Sequence, residues 1–203
     1  MLGALTQCAA LVPAAGSGSR LGEPKATLLI GGIPLLERQV RLLRAAGVQP
    51  IVAVVAADQP ASVALAQRLQ CITVLNEQTH LGQSHSVRLG AQALPEGPFL
   101  LLPVDCAWTR LQDVQALLLA HAVAQHDPHM ILRPHHGTNY GHPVLFGADY
   151  RSAFIALPAD QSAATVYRTH RIRVQLVPVD NTHIHEDVDT PEDLERCVRT
   201  LEG

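Results

Sequence analysis

The stretch that most restricts this chain covers residues 11–25: Leu-Val-Pro-Ala-Ala-Gly-Ser-Gly-Ser-Arg-Leu-Gly-Glu-Pro-Lys. An apolar run, residues 8–12, opens there into a loop of small residues. The loop carries three glycines, Gly16, Gly18 and Gly22, and two cations, Arg20 and Lys25. A buried strand feeding such a loop suits phosphate binding. Glycine lets the backbone approach an anion, and successive N–H groups can face one concavity. Arg20 and Lys25 add positive charge at its rim. The spacing matches neither Gly-x-x-x-x-Gly-Lys-Ser/Thr nor Gly-x-Gly-x-x-Gly, because Glu23 and Pro24 precede the lysine and Leu21 stands at the third glycine position. On residue types alone, a mobile surface loop between a strand and a helix has the same composition.

The remainder alternates strand and helix. Residues 51–57, 71–75 and 98–104 are apolar strands, and 129–133 and 172–179 are two more, with Arg173 and Gln175 outward. Helices are predicted over 33–47 with Pro34 in the first turn and Gly47 as the stop, and over 60–69 with Val63, Ala66 and Leu69 inward. A third follows Gly82, capped near Ser84 or Ser86. A fourth spans 109–125 with a Thr109/Gln112 capping box. Two more cover 147–157 and 160–170, and residues 135–140 read as a polar loop. The last helix has Thr190 as cap, Pro191 in the first turn, Asp193 closing the box, and Leu194, Val198 and Leu201 inward. This rhythm means right-handed crossovers, an α/β fold and a mostly parallel sheet. Hydrophobic residues make up 47 % of the chain but aromatic ones only 3 %. The core must then be Leu, Val, Ile and Ala, as in a sheet covered by helices. The length of 203 residues suits one domain spanning 1–203.

A net charge of −3 argues against a broad nucleic-acid footprint. No apolar run approaches the ~20 residues a membrane span needs, so no membrane partner is expected. Cys8, Cys71, Cys106 and Cys197 are scattered, which is neither a zinc pattern nor a disulfide framework. They fit a reducing cytoplasm, as does the lack of a secretory signal pattern. The densest histidines, His135-His136 and His183-x-His185, read as solvated loop residues.

Residues 13–25 resemble the signature loop of the MobA-like nucleotidyltransferases, and within them the molybdenum cofactor cytidylyltransferase branch. The resemblance runs in order from Leu11 to Leu194. It implies a single Rossmann-like three-layer domain with a mostly parallel sheet, like that of nucleotide-diphospho-sugar transferases. It implies that Pro13, Ala14, Ala15, Gly16, Ser17, Gly18, Ser19 and Arg20 wrap the nucleotide while Lys25 contacts phosphate. Gly82 and Ser86 match a second nucleotide-touching loop, although on composition they are an ordinary capped helix start. Gly141, His142 and Pro143 match a segment lining the acceptor side, which from sequence alone is a turn feeding a strand. Asp105 ends the strand 98–104, where open α/β sheets bind ligands. It could instead cap a turn, but in the family it binds magnesium. The family continues with Gln or Met and then Pro, whereas Cys106-Ala107 follow here. Asp189 opens Asp-Thr-Pro-Glu-Asp, whose first Asp is a metal ligand in related enzymes; the same acidic residues also suit a helix start. Extended-strand alternation turns Asp187 to the opposite side from Asp189. Lys25, following Pro24 in a polar loop, is expected to have no buried partner.

The implied activity is transfer of CMP from CTP to a phosphorylated acceptor, molybdenum cofactor, with release of pyrophosphate. Lys25, Arg20 and Asp105 would be catalytic, with Mg2+ on Asp105 and Asp189. An apo-molybdoenzyme would receive the product. Ala14-Ala15-Gly16 carries a methyl where guanylyl-transferring relatives have an additional glycine, which favours a pyrimidine. Other acceptors, such as methylerythritol phosphate or a sugar acid, keep the same fold. A non-catalytic nucleotide- or cofactor-binding chaperone is the reading from another class.

Overall fold

The first strand, β1 (Ala9–Pro13), is buried along its whole length, so each of its side chains must meet a packed layer. Ala10 and Val12 face one side of the sheet, and Ala9 and Leu11 the other. That two-sided burial explains its unbroken apolar run. The computed structural model describes residues 8–158 and 161–202. Beside β1 lie β2 (Ile51–Ala56), β3 (Ile72–Asn76) and β4 (Phe99–Leu101), all parallel to it. Beyond β4 come β5 (Ile131–His136), β6 (Asn139–Tyr140), β7 (Val144–Phe146) and β8 (Val174–Pro178). The sheet order is β8-β5-β7-β4-β1-β2-β3, with β6 paired to β5. β7 is antiparallel to both β4 and β5, whereas β8 is parallel to β5.

The helices are α1 (Leu35–Ala45), α2 (Pro60–Arg68), α3 (Gln83–Ala93), α4 (Leu111–Val123), α5 (Tyr150–Ile155), α6 (Ala164–Thr169) and α7 (Pro191–Glu202). Side chains of α1, α2 and α4 fill one face of the sheet, those of α3 and α5 the other. All three phenylalanines of the chain meet on the α5 side. Phe99 stacks on Phe146 at 5.4 Å, and Phe154 meets both rings edge-on. Each such buried ring or aliphatic chain contributes about 1.5–3 kcal/mol.

Several expected boundaries move for visible reasons. Pro34 sits at the N-cap of α1, because Ile33–Pro34 pairs antiparallel with Leu29–Ile30. In α2, Leu65 and Ala66 take the buried positions and Val63 is only partly covered. The box of α4 is closed by Asp113, whose Oδ2 accepts the Arg110 N–H at 2.8 Å. Thr109 instead donates its hydroxyl to the Cys106 carbonyl. Residues 135–140 form the tip of a β5–β6 hairpin and not a free loop, turning at Gly137 with φ +58. Arg171–Arg173 is a short 3-10 turn, so β8 starts later than expected. The cap of α7 is as expected, since Thr190 Oγ1 and Asp193 Oδ2 lie 2.8 Å apart. Cys197 is buried on its inner face, and Leu194 and Val198, as expected, pack partly buried against the same core. The expected helix start at residue 160 and the Leu201 side chain lie outside the described residues. No helix among the described residues is long and apolar enough to cross a membrane.

Candidate active site

The carboxyl ends of β1, β3 and β4 open on one edge of the sheet. The chain leaves β1 into the glycine loop, β3 into the turn Thr79–Leu81, and β4 toward Asp105. These three departures enclose a cavity of about 540 Å³. Of the expected nucleotide contacts, Pro13, Ala15, Gly16, Ser17 and Lys25 line it on the glycine-loop side, and Gly82 and Ser86 on the other. Asp105 forms part of its floor. Ala14 is fully buried beneath the loop and donates its N–H to the Val54 carbonyl at 2.8 Å, tying the loop to β2. Ser19 and Arg20 are exposed and lie outside the cavity lining. Gly18 holds the loop's shape. Its φ is +59, a Cβ there would come within 1.9 Å of the Glu23 carbonyl oxygen, and its own carbonyl accepts N–H bonds from Leu21 and Gly22.

Lys25 is the electrostatic centre of the edge. Its ammonium donates to Asp105 Oδ2 at 2.7 Å and also to Asp189 Oδ1. Lysine and Asp105 are largely covered, whereas the Asp189 side chain is half exposed. Burial works to lower the lysine's pKa, but the two carboxylates outweigh it and hold it above its ordinary value. The expectation of a lysine without a buried partner is therefore corrected. A polar loop placed Lys25 near the surface, but the fold brings carboxylates 80 and 164 positions away onto its tip.

Asp187 is likewise not turned away. The segment between β8 and α7 is not an extended strand, so strict alternation does not apply. Oxygens of Asp105 and Asp187 and the Cys106 sulfur all lie within 4.8 Å of one another. The Cys106 thiol donates to Asp187 Oδ1 at 3.2 Å. Burial raises the pKa of Asp187, and the neighbouring Asp105 charge raises it further. Cys106 is fully buried beside these carboxylates, which pushes its thiol well above the usual range and keeps it protonated. What remains is a set of hard oxygen donors, suited to a divalent cation that prefers carboxylates. Cys106-Ala107 in place of the family's Gln or Met and Pro thus leaves the carboxylates in position.

The turn that presents Asp105 is propped from below by Gln39 of α1, whose amide donates to the carbonyls of Val104 and Cys106 at 3.3 and 2.9 Å. Its signal in the sequence was a polar residue on the apolar stripe of α1, between Leu36 and Val40. Thr79, His80 and Gln83 also line the cavity, and residue types alone did not single them out. Asn76 at the end of β3 donates to Ser86 Oγ at 2.8 Å, which fixes the start of α3.

Gly141, His142 and Pro143 reach the same edge because β7 runs antiparallel, but they do not line this cavity. A Cβ on Gly141 would lie 1.7 Å from the Ile184 carbonyl oxygen. Gly141→Ala should therefore destabilise the protein by at least the ~1–3 kcal/mol typical of overpacking, read from a urea transition. An unchanged midpoint would mean that the 184 segment moves aside freely. His142 Nδ1–H donates to the Leu101 carbonyl at 3.3 Å. Burial pushes its imidazole down to about 4, Arg133 acts in the same direction, and the Leu101 hydrogen bond and Asp105 oppose them. A depressed base favours the neutral form in the folded state. Its contribution is present above the ordinary value of 6.5 and is lost as pH falls toward about 4. The loss amounts to about 3 kcal/mol. His142→Gln should flatten that part of the stability curve between pH 7 and 4, and an unaltered slope would show that the shift is absent.

A mostly parallel sheet with a glycine loop after its first strand and a carboxylate after its central strand defines the nucleotide-diphospho-sugar transferase fold class. The chain belongs to the MobA-like NTP transferase domain family, whose model matches residues 10–175. It is 29 % identical over 196 residues to nicotine blue oxidoreductase of Paenarthrobacter nicotinovorans, covering 91 % of this chain and 93 % of that protein. It is 38 % identical over 109 residues to 2-C-methyl-D-erythritol 4-phosphate cytidylyltransferase of Streptomyces coelicolor, covering 49 % of this chain and 39 % of that one. Among solved structures, Rv0371c from Mycobacterium tuberculosis H37Rv superimposes with a TM-score of 0.81 at 23 % identity, covering 96 % of this chain and 99 % of that one. The same protein has also been solved in complex with manganese.

Proposed function

We propose that the protein transfers CMP from CTP to a phosphorylated acceptor. The observation that carries this reading is the Lys25 ammonium held between Asp105 and Asp189 at the floor of a glycine-lined cavity. An oxygen of the acceptor phosphate attacks the α-phosphorus. A new P–O bond forms, the α–β P–O bond breaks, and pyrophosphate leaves. A phosphate monoester is already anionic near neutral pH, so the step needs charge neutralisation and in-line positioning more than a general base. Backbone N–H groups of residues 15–19 cradle the triphosphate, Lys25 moves onto its oxygens, and Arg20 closes from the rim. Asp105 and Asp189, with Asp187 beside them, would hold a magnesium ion, which would supply the positive charge that the triphosphate needs. The Ala15 methyl narrows the wall where a base would rest and favours a pyrimidine.

The acceptor in this reading is molybdenum cofactor, supported by the MobA-like family and the residue pattern of 13–25 and 141–146. An apo-molybdoenzyme then receives the product. The partial likeness to a methylerythritol phosphate cytidylyltransferase keeps that acceptor as the alternative. The full-length likeness to nicotine blue oxidoreductase supports a second reading, in which the same cavity serves a redox reaction. One assay separates them. Pyrophosphate release is followed with CTP or GTP, magnesium, and each acceptor in turn. The proposal expects release with CTP and molybdenum cofactor, and weaker binding of GTP by calorimetry. Release with methylerythritol phosphate alone would move the assignment to that acceptor. No pyrophosphate release with either nucleotide and any acceptor would overturn transfer altogether.

A further inference from the structure

A second cavity, of about 750 Å³, opens beside the β5–β6 hairpin, away from the glycine loop. It is lined by Arg133 of β5, Tyr140 of β6, Tyr167 and Arg168 of α6, Arg171, and two aliphatic residues of β8. Three cations thus meet in a chain whose acidic residues outnumber its Lys and Arg, 18 to 15, and no carboxylate lines the cavity. The Arg133 guanidinium lies between two rings, 5.3 Å from the centre of Tyr140 and 4.9 Å from that of Tyr167. Its Nε is buried and has no hydrogen-bond partner among the described residues. None of the three arginines joins an ion pair among the described residues. Arg168 and Arg171 are exposed and Arg133 is half-buried, so it is the covered Nε of Arg133 that lacks a partner, which the aromatic faces compensate only in part. The arrangement lacks what a guanidinium fork is shaped to hold, an oxyanion.

We propose that this cavity is an oxyanion subsite that holds either an anionic group of the acceptor other than the phosphate joined to CMP, or a free inorganic anion. The proposal rests on the transferase reading for the identity of its occupant. The 140–142 turn runs from the wall of the arginine cavity to the sheet edge where β4 ends. Tyr140 stands in the wall of the arginine cavity, and His142, two residues on, is within electrostatic reach of both Arg133 and Asp105. A molecule spanning this turn would have one end among the arginines and the other near Asp105. The ligand chemistry has two sources, an anionic group of the acceptor or a free inorganic anion acting as effector.

The test uses inorganic phosphate as probe, on the full chain already saturated with CTP and magnesium. The NMR resonance of the Arg133 Nε–H is followed during titration. We expect it to shift in the wild type. In Arg168→Gln/Arg171→Gln the phosphate affinity should fall at least 10-fold with CTP affinity unchanged. In Arg133→Met, phosphate should no longer raise the melting temperature, while the apo protein melts no lower than wild type because an unpaired cation has been removed. A resonance that never moves, a response that survives both arginine variants, or one abolished only by Lys25→Ala would each overturn the subsite. With whichever acceptor releases pyrophosphate, the double variant should raise its KM at least 10-fold at constant kcat. An unchanged KM with the phosphate response lost would overturn the acceptor assignment in favour of a free anion. Failure of the transferase reading is seen separately, as absent pyrophosphate release in the wild type, and leaves the phosphate titration intact.

Discussion

Lys25→Ala is expected to slow CMP transfer by on the order of 10²-fold or more, the scale seen when a preorganised transition-state donor is removed. Among the described residues Lys25 is the one Lys or Arg in the wall of the nucleotide cavity, and it is paired with Asp105 and Asp189. The same variant also affects stability. Asp105 loses its partner at 2.7 Å while Asp187 stays close by, so like charges face each other without relief. Because Asp189 is half exposed, solvent screens much of this, and a loss of about 1 kcal/mol is reasonable. That is a few degrees in melting temperature. The lysine's raised pKa means its stabilising charge is fully present below its ordinary value near 10.5 and is lost only as pH rises beyond its folded value. Assays between pH 7 and 8 therefore compare charged lysine with none. Activity per folded molecule, corrected by circular dichroism, is the measurement. Full activity per folded molecule together with a large drop in stability would make Lys25 a structural residue.

Asp105→Asn should also reduce turnover at least 10²-fold, and Asp189→Asn should do the same. Both carboxylates meet at the Lys25 ammonium, so they act as one unit on whatever cation or triphosphate replaces it. The double variant should then be little worse than either single one. Independent, multiplying losses would show that the two serve different purposes. Asp187→Asn provides the sharper test of the site's electrostatics. Burial and Asp105 already disfavour its charged form. A raised carboxyl pKa costs stability above the unfolded value, and that cost grows as pH rises toward the folded one. Neutralising the side chain should thus raise the apo melting temperature at pH 7 while lowering turnover about 10-fold or more. If turnover is unaffected, Asp187 serves Cys106 alone and the functional carboxylates are Asp105 and Asp189.

Much of the fold was legible because its signals are local. The two-sided burial of β1 shows as a continuous apolar run, and the Thr190/Asp193 cap shows as a spacing of three. Gly18 was legible as part of a glycine loop, though its clash with Glu23 was not. Local signals also misled. Thr109 and Gln112 have capping-box spacing, but burial favours the next register, where Asp113 takes a hydrogen bond from buried Asn181 at 2.6 Å as well as from Arg110. Asp187 and Lys25 were misjudged for another reason. Their surroundings are set by chain segments 80 or more positions away, and neither alternation nor loop polarity carries that information. The arginine cavity was invisible for the same reason, since Arg133, Arg168 and Arg171 share no periodicity and meet only through strand pairing of β5 with β8.

The Lys25–Asp189 contact joins residues 164 positions apart, across nearly the whole chain. During synthesis the glycine loop emerges early, and β1, β2 and β3 can pair with one another before residue 80 is made. The second carboxylate on Lys25 follows β8 in the chain and is made 164 positions after the lysine itself. A chain synthesised only as far as β4 therefore has the phosphate cradle but neither carboxylate, and the charges on Lys25 are complete only once residue 189 has been made.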